Sequence, residues 1–90
     1  MASKSNDKLH IQKARVLRLL RRDNALTQED LARELNISRE TVVAVENCHS
    51  GAISAIPADI MSEWWKRCRD SASDDSRSEF SKLIVNLYPD

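Results

Sequence analysis

Glycine occurs once in this 90-residue chain, as Gly51, and proline only twice. So few turn formers leave little material for hairpins, and against a background rich in Leu, Arg, Glu and Ala the expected class is all-α. A lone glycine also excludes a glycine-rich phosphate loop. No nucleophile and base stand in a working arrangement, so no enzyme is expected. His10 and His49 are isolated and carry no catalytic reading. No apolar run approaches the roughly 20 residues of a membrane span, and the polar start Met1 to Asp7 lacks the apolar core of a signal peptide. A cytoplasmic protein without membrane contact is expected. Cysteine is scarce too: Cys48 and Cys68 lie in ordinary helical or helix-end contexts and are expected as free thiols. No metal, cofactor or small-molecule ligand is implied.

Net charge is also missing, with 14 basic residues balanced by 14 acidic ones. That balance argues against nucleic acid, whose binders usually show a basic footprint. The charges are uneven, however: residues 1–48 hold nine Lys or Arg against seven Asp or Glu, and residues 49–90 hold five against seven. The 41% hydrophobic content suits one compact core and not two.

Helical signals run through the chain. Asp7 is placed to cap a helix reaching about Asp23, with Leu9, Lys13, Val16, Leu17 and Leu20 at helical spacing and Arg15, Arg18, Arg21 and Arg22 on other faces. Asp23-Asn24-Ala25 breaks it. Thr27 then caps a second helix of about 28–35, with Asp30 as approximate capping-box partner and Leu26 against Leu31 as a hydrophobic staple. Asn36 stands where a left-handed backbone is wanted, Ile37 turns toward the core, and Ser38 caps a third helix anchored by Val42 and Val45. Two ends fit this third helix: Asn47, or Gly51 after continuation through Cys48-His49-Ser50. The remaining stretch to Ile56 is expected as a loop. Pro57 opens a fourth helix, 57–69, with Ile60, Trp64 and Cys68 on one stripe and Met61 and Trp65 on the next. Arg69 to Asp75 reads as a polar linker. Ser76-Arg77-Ser78-Glu79 reads as a capping box that starts a fifth helix, 76–88, with Phe80, Leu83, Ile84 and Leu87 on one face.

The second and third helices carry the functional signal. Reading a DNA groove with a helix pair needs a fixed crossing, hence a small residue where the axes meet, a tight turn, and apolar anchors under the reading helix. Ala32, Asn36, Ile37, Val42 and Val45 supply these in order. Gln28 at the start of the second helix is placed to hold a phosphate with the helix amino terminus. Arg39 has the donor fork for guanine, and Glu40 can accept from cytosine or orient Arg39. Thr41 and Val43 offer methyl contact to thymine, and Ala44 lets the helix lie close to the groove floor.

The runs Leu26-Thr27-Gln28-Glu29-Asp30-Leu31-Ala32, Ile37-Ser38-Arg39-Glu40-Thr41-Val42 and Val45-Glu46-Asn47 resemble the Cro/lambda-repressor-like, or xenobiotic-response-element, helix-turn-helix family. The resemblance covers about 26–47. It implies a five-helix domain that binds a double-stranded DNA operator as a two-fold homodimer. Gln28 is then a phosphate anchor, Arg39, Glu40, Thr41 and Ala44 face base edges, and Asn47 lies near the backbone. With Ser38 and Val43 these residues form the expected DNA-binding set. Two departures stand out. Cys48 occupies the place after the Glu-Asn pair where family members commonly have Gly, and Trp64-Trp65 replaces small aliphatic residues. Adjacent helical residues point about 100° apart, so one tryptophan is expected at an interface.

On this reading residues 1–70 are the DNA-binding domain. Residues 71–90 are a polar linker and carboxy-terminal helix of the same compact unit, with Trp65, Phe80, Leu83, Ile84 and Leu87 as the dimer surface. The expected function is a sequence-specific repressor of a promoter near its own gene, acting by occluding polymerase. Two rivals remain: an antitoxin-type module that masks a toxin through the segment after Arg69, and a helical adaptor that does not bind DNA.

Overall fold

Short-range capping sets the helix starts. The computed structural model describes residues 4–88, so Met1 to Ser3 of the polar start lie outside the described residues. Asp7 accepts from the backbone of Leu9 at 2.8 Å and opens α1 (Lys8–Asp23). Thr27 opens α2 (Gln28–Leu35) through a complete capping box: its hydroxyl accepts from the Asp30 N–H at 3.0 Å, and the Asp30 carboxylate accepts from the Thr27 N–H at 3.2 Å. These bonds hold the Asp30 carboxyl below the usual range. Ser38 opens α3 (Arg39–Glu46).

The chain then departs from expectation. The stretch expected as a loop contains α4 (Ser50–Ala55), with Gly51 inside it, before α5 (Ala58–Cys68), a 3-10 turn at Arg69–Ser71, and α6 (Asp74–Leu87). The all-α class holds, with six α-helices in place of five and no strand among the described residues. The cap of α6 is Ser73, three residues before the expected one at Ser76, which is buried. The Asp23 carboxylate accepts from the Ser73 N–H at 2.9 Å, and that bond holds the Asp23 carboxyl below its ordinary range.

Leu17, Leu20, Leu31, Val42, Val45, Ile53, Trp64, Cys68 and Leu83 form the fully buried centre. The Trp64 indole N–H donates to the Leu17 carbonyl at 3.0 Å, so the one polar atom of that side chain is satisfied inside the core. Cys68 is a core residue as well. Burial, aided by the Glu34 charge, pushes its thiol up to about 11. α6 runs antiparallel along α1, tied by Asp23 to Ser73, Arg15 to Glu79 and Gln12 to Asn86.

The first three helices all end on left-handed corners, and none of the three is glycine: Ala25 at φ 54°, Asn36 at φ 57° and Cys48 at φ 59°. Each closes the double bond pattern of a Schellman motif. Leu26 donates to Arg21, Ile37 to Ala32 and His49 to Ala44, while Ala25, Asn36 and Cys48 donate to Arg22, Arg33 and Val45. The third helix therefore ends at Glu46, and Cys48 takes the place that glycine fills in the family pattern. A Cβ in this conformation costs about 1–2 kcal/mol. Ala25→Gly, at an exposed position, should stabilise the fold by about 1 kcal/mol and raise the midpoint of thermal unfolding by about 4–8 °C. An unchanged or lower midpoint would show that the corner is unstrained.

Candidate nucleic-acid interface

The face of α3 that is not spent on Val42 and Val45 is turned to solvent. Arg39, Glu40, Thr41 and Asn47 are exposed, and Val43 and Ala44 are half-buried. Ser38 is exposed, but its hydroxyl accepts from the Thr41 N–H at 3.1 Å and shares a hydrogen bond with the Thr41 hydroxyl at 2.8 Å. Ser38 is thus a cap that also orients Thr41. Asn36 and Ile37 turn the chain between α2 and α3, with Ala32 buried on the α2 side and Ile37 packed against the core.

One residue at the far end of α3 fixes the pose of the pair. Glu46 is buried, and Arg21 of α1 grips both its oxygens with a guanidinium fork at 2.7 and 2.9 Å. The third arm of the guanidinium donates to the Leu26 carbonyl at 2.7 Å, just before α2. The Gln28 amide donates to Glu46 at 3.2 Å. Glu46 therefore joins α1, the α1–α2 corner, α2 and α3. One amide hydrogen of Gln28 is spent on this carboxylate and the other remains available.

Glu46 and Arg21 have no role in the sequence reading beyond a basic outer face for Arg21. A signal existed: Glu46 follows Val42 by four and Val45 by one, which puts it on the buried flank of α3. A carboxylate there requires a cationic partner.

The two flanks of α3 differ. Toward α4 and α5 lies an apolar groove of about 560 Å³ lined by Ile37, Thr41, Ala44, Ala55, Ile56 and Ile60. Toward α1 lies a depression of about 410 Å³ with Lys4, Arg18 and Asn47 in its wall. A short contact holds the start of the chain there: the Ser5 N–H donates to the Cys48 carbonyl at 2.8 Å, beside an isolated antiparallel bridge between Lys4 and His49.

The residues expected at a dimer surface separate. Leu83 is fully buried and Phe80 is 8% exposed within the single chain, because α6 lies along α1. Both belong to the protomer core. Trp65 is half-buried and stacks on Phe80, with ring centroids 4.3 Å apart and planes 5° from parallel. It docks α6 onto α5. Ile84 and Leu87 remain half-buried beside the core, with Val85 and Tyr88 exposed next to them.

No group of metal-ligating side chains occurs among the described residues, and none of their helices is long and apolar enough to cross a membrane. Cys48 and Cys68 are free thiols. No curated protein and no solved structure matches the chain. Residues 17–54 match the family model described as helix-turn-helix, which spans the second half of α1 through α4. That match is consistent with the Cro/lambda-repressor-like helix-turn-helix family, whose members are DNA-binding regulators.

Proposed function

We propose that the chain is a sequence-specific transcriptional repressor that places α3 in the major groove of an inverted-repeat operator as a homodimer. The observation that carries this reading is the outward row Arg39, Glu40, Val43, Ala44 and Asn47 on a helix whose pose is fixed by Glu46, Arg21 and Gln28. Arg39 reads guanine, Glu40 accepts from cytosine or orients Arg39, and the aliphatic groups of Val43 and Thr41 meet thymine methyls. The free hydrogen of the Gln28 amide and the first turn of α2 meet one backbone phosphate. Support for a second copy comes from the exposed Val85 and Tyr88 beside the half-buried Ile84 and Leu87 on α6. Two-fold symmetry then sets the half-sites about 34 Å apart or at a multiple of that spacing.

The test is selection of bound duplexes from a random pool by wild type and by Arg39→Ala. Wild type should enrich a sequence with a dyad. The variant should bind it about 1–3 kcal/mol more weakly and lose preference at one position in each half-site. Equal enrichment by both proteins would remove α3 from the reading role, and a selected site without a dyad would remove the homodimer.

A further inference from the structure

We propose that Lys4 and Arg18, which line one depression with Asn47, form a seat for a DNA backbone phosphate on the α1 flank of α3. This inference rests on the DNA-binding reading above and adds a site to it. Among the described residues, Lys4, Lys8, Arg18, Arg22 and Arg39 have no carboxylate within ion-pair distance, whereas Arg15, Arg21, Arg33, Lys66, Arg67, Arg69 and Lys82 each have at least one. Lys13 and Arg77 donate instead to backbone carbonyls.

The free cations are therefore all in the amino-terminal part of the chain, and two of them share one depression with the exposed end of α3. Two walls of that depression carry charges that are already neutralised: Glu46 by Arg21 at 2.7 Å and Arg15 by Glu79 at 2.7 Å. Lys4 is held in place by the backbone, through the Ser5 to Cys48 hydrogen bond and the bridge to His49. The Ser5 hydroxyl also bonds the His10 ring nitrogen at 2.7 Å, which ties the segment to α1. An anion at this point meets two cations and the Asn47 amide without displacing any bond of the fold. Arg22, one turn beyond Arg18, extends the positive track along α1.

A phosphate contact and a base contact leave different signatures. Neutralising a phosphate releases about 0.9 counterion, so each contact adds that much to the slope of log affinity against log salt and carries no sequence information. The test measures binding of a fluorescently labelled duplex of mixed sequence over a salt series. Proteins compared are wild type, the double variant Lys4→Gln/Arg18→Gln, and Lys82→Gln on α6 as control. Both seat residues are exposed, and thermal unfolding checks that the double variant is folded.

The double variant should bind more weakly with a slope smaller by about 0.9, and select the same sequences as wild type. Lys82→Gln should keep the wild-type slope. Salt-dependent binding by wild type with an equal slope in the double variant overturns the seat and leaves the reading function standing. A changed base preference in the double variant also overturns it, by making these residues readers. If wild type has no salt-dependent affinity for any duplex, both proposals fall.

Discussion

Glu46→Ala should lose about 3–5 kcal/mol of folding stability, a large share of what a domain this size commands. The side chain is 2% exposed and accepts both arms of Arg21, whose own side chain is 13% exposed. Removing the carboxylate leaves a guanidinium with only the Leu26 carbonyl as partner, away from bulk water. The complementary variant Arg21→Met/Glu46→Leu removes both charges at similar volume and should recover most of the loss. Chemical denaturation measures both. A loss under about 1 kcal/mol in Glu46→Ala would mean that the pair behaves like a surface ion pair. The double variant should nevertheless bind DNA poorly even when stable. Gln28 would lose the carboxylate that aims its amide, and α3 would lose its link to the α1–α2 corner.

Trp64→Ala should be comparably severe, at about 3–5 kcal/mol. Trp64 is the largest fully buried side chain, sits among residues of several helices, and spends its indole N–H on Leu17. Its cavity cannot collapse without moving α1 against α5. The neighbouring Trp65 makes the contrast. Trp65→Ala removes a half-buried ring stacked on Phe80, a contact that adds about 0.5–1.5 kcal/mol beyond its buried area, and should loosen α6 and spare the helix pair. Thermal unfolding of the two variants separates the roles, and equal losses would contradict them.

Much of this fold was legible because its signals are local. Thr27 with Asp30, Asn36 in the left-handed turn, and Ser38 ahead of Val42 and Val45 act within a few residues of one another, and the structure uses each as expected. The outward row of α3 was legible for the same reason, since it is the complement of the anchored face. What was missed depends on contacts between distant segments. α4 has no side-chain cap at His49, and it is held by Lys13 donating to the Ile53 carbonyl, forty residues away in sequence. Lys13 is half-buried there, and burial lowers its pKa. Two serines, Ser73 and Ser76, could each begin α6, and the Asp23 carboxylate across the interface decides for the earlier one. Phe80 and Leu83 show a correct apolar stripe whose partner, α1 or a second copy, periodicity alone does not specify. Cys48 has poor intrinsic preference for the left-handed region, so Gly51 stood beside Asn47 as an end for α3; the cap is Asn47, and Gly51 lies inside α4.

The division between paired and unpaired charge has a consequence for how the molecule meets a polyanion. A protein with no net charge feels little pull at distances beyond a Debye length, about 8–10 Å in ordinary buffers. Its free cations nevertheless sit toward the amino-terminal half, and α6 opens on Asp74 and Asp75. Attraction to a polyanion is therefore confined to short range, where it comes from the unpaired cations and not from net charge.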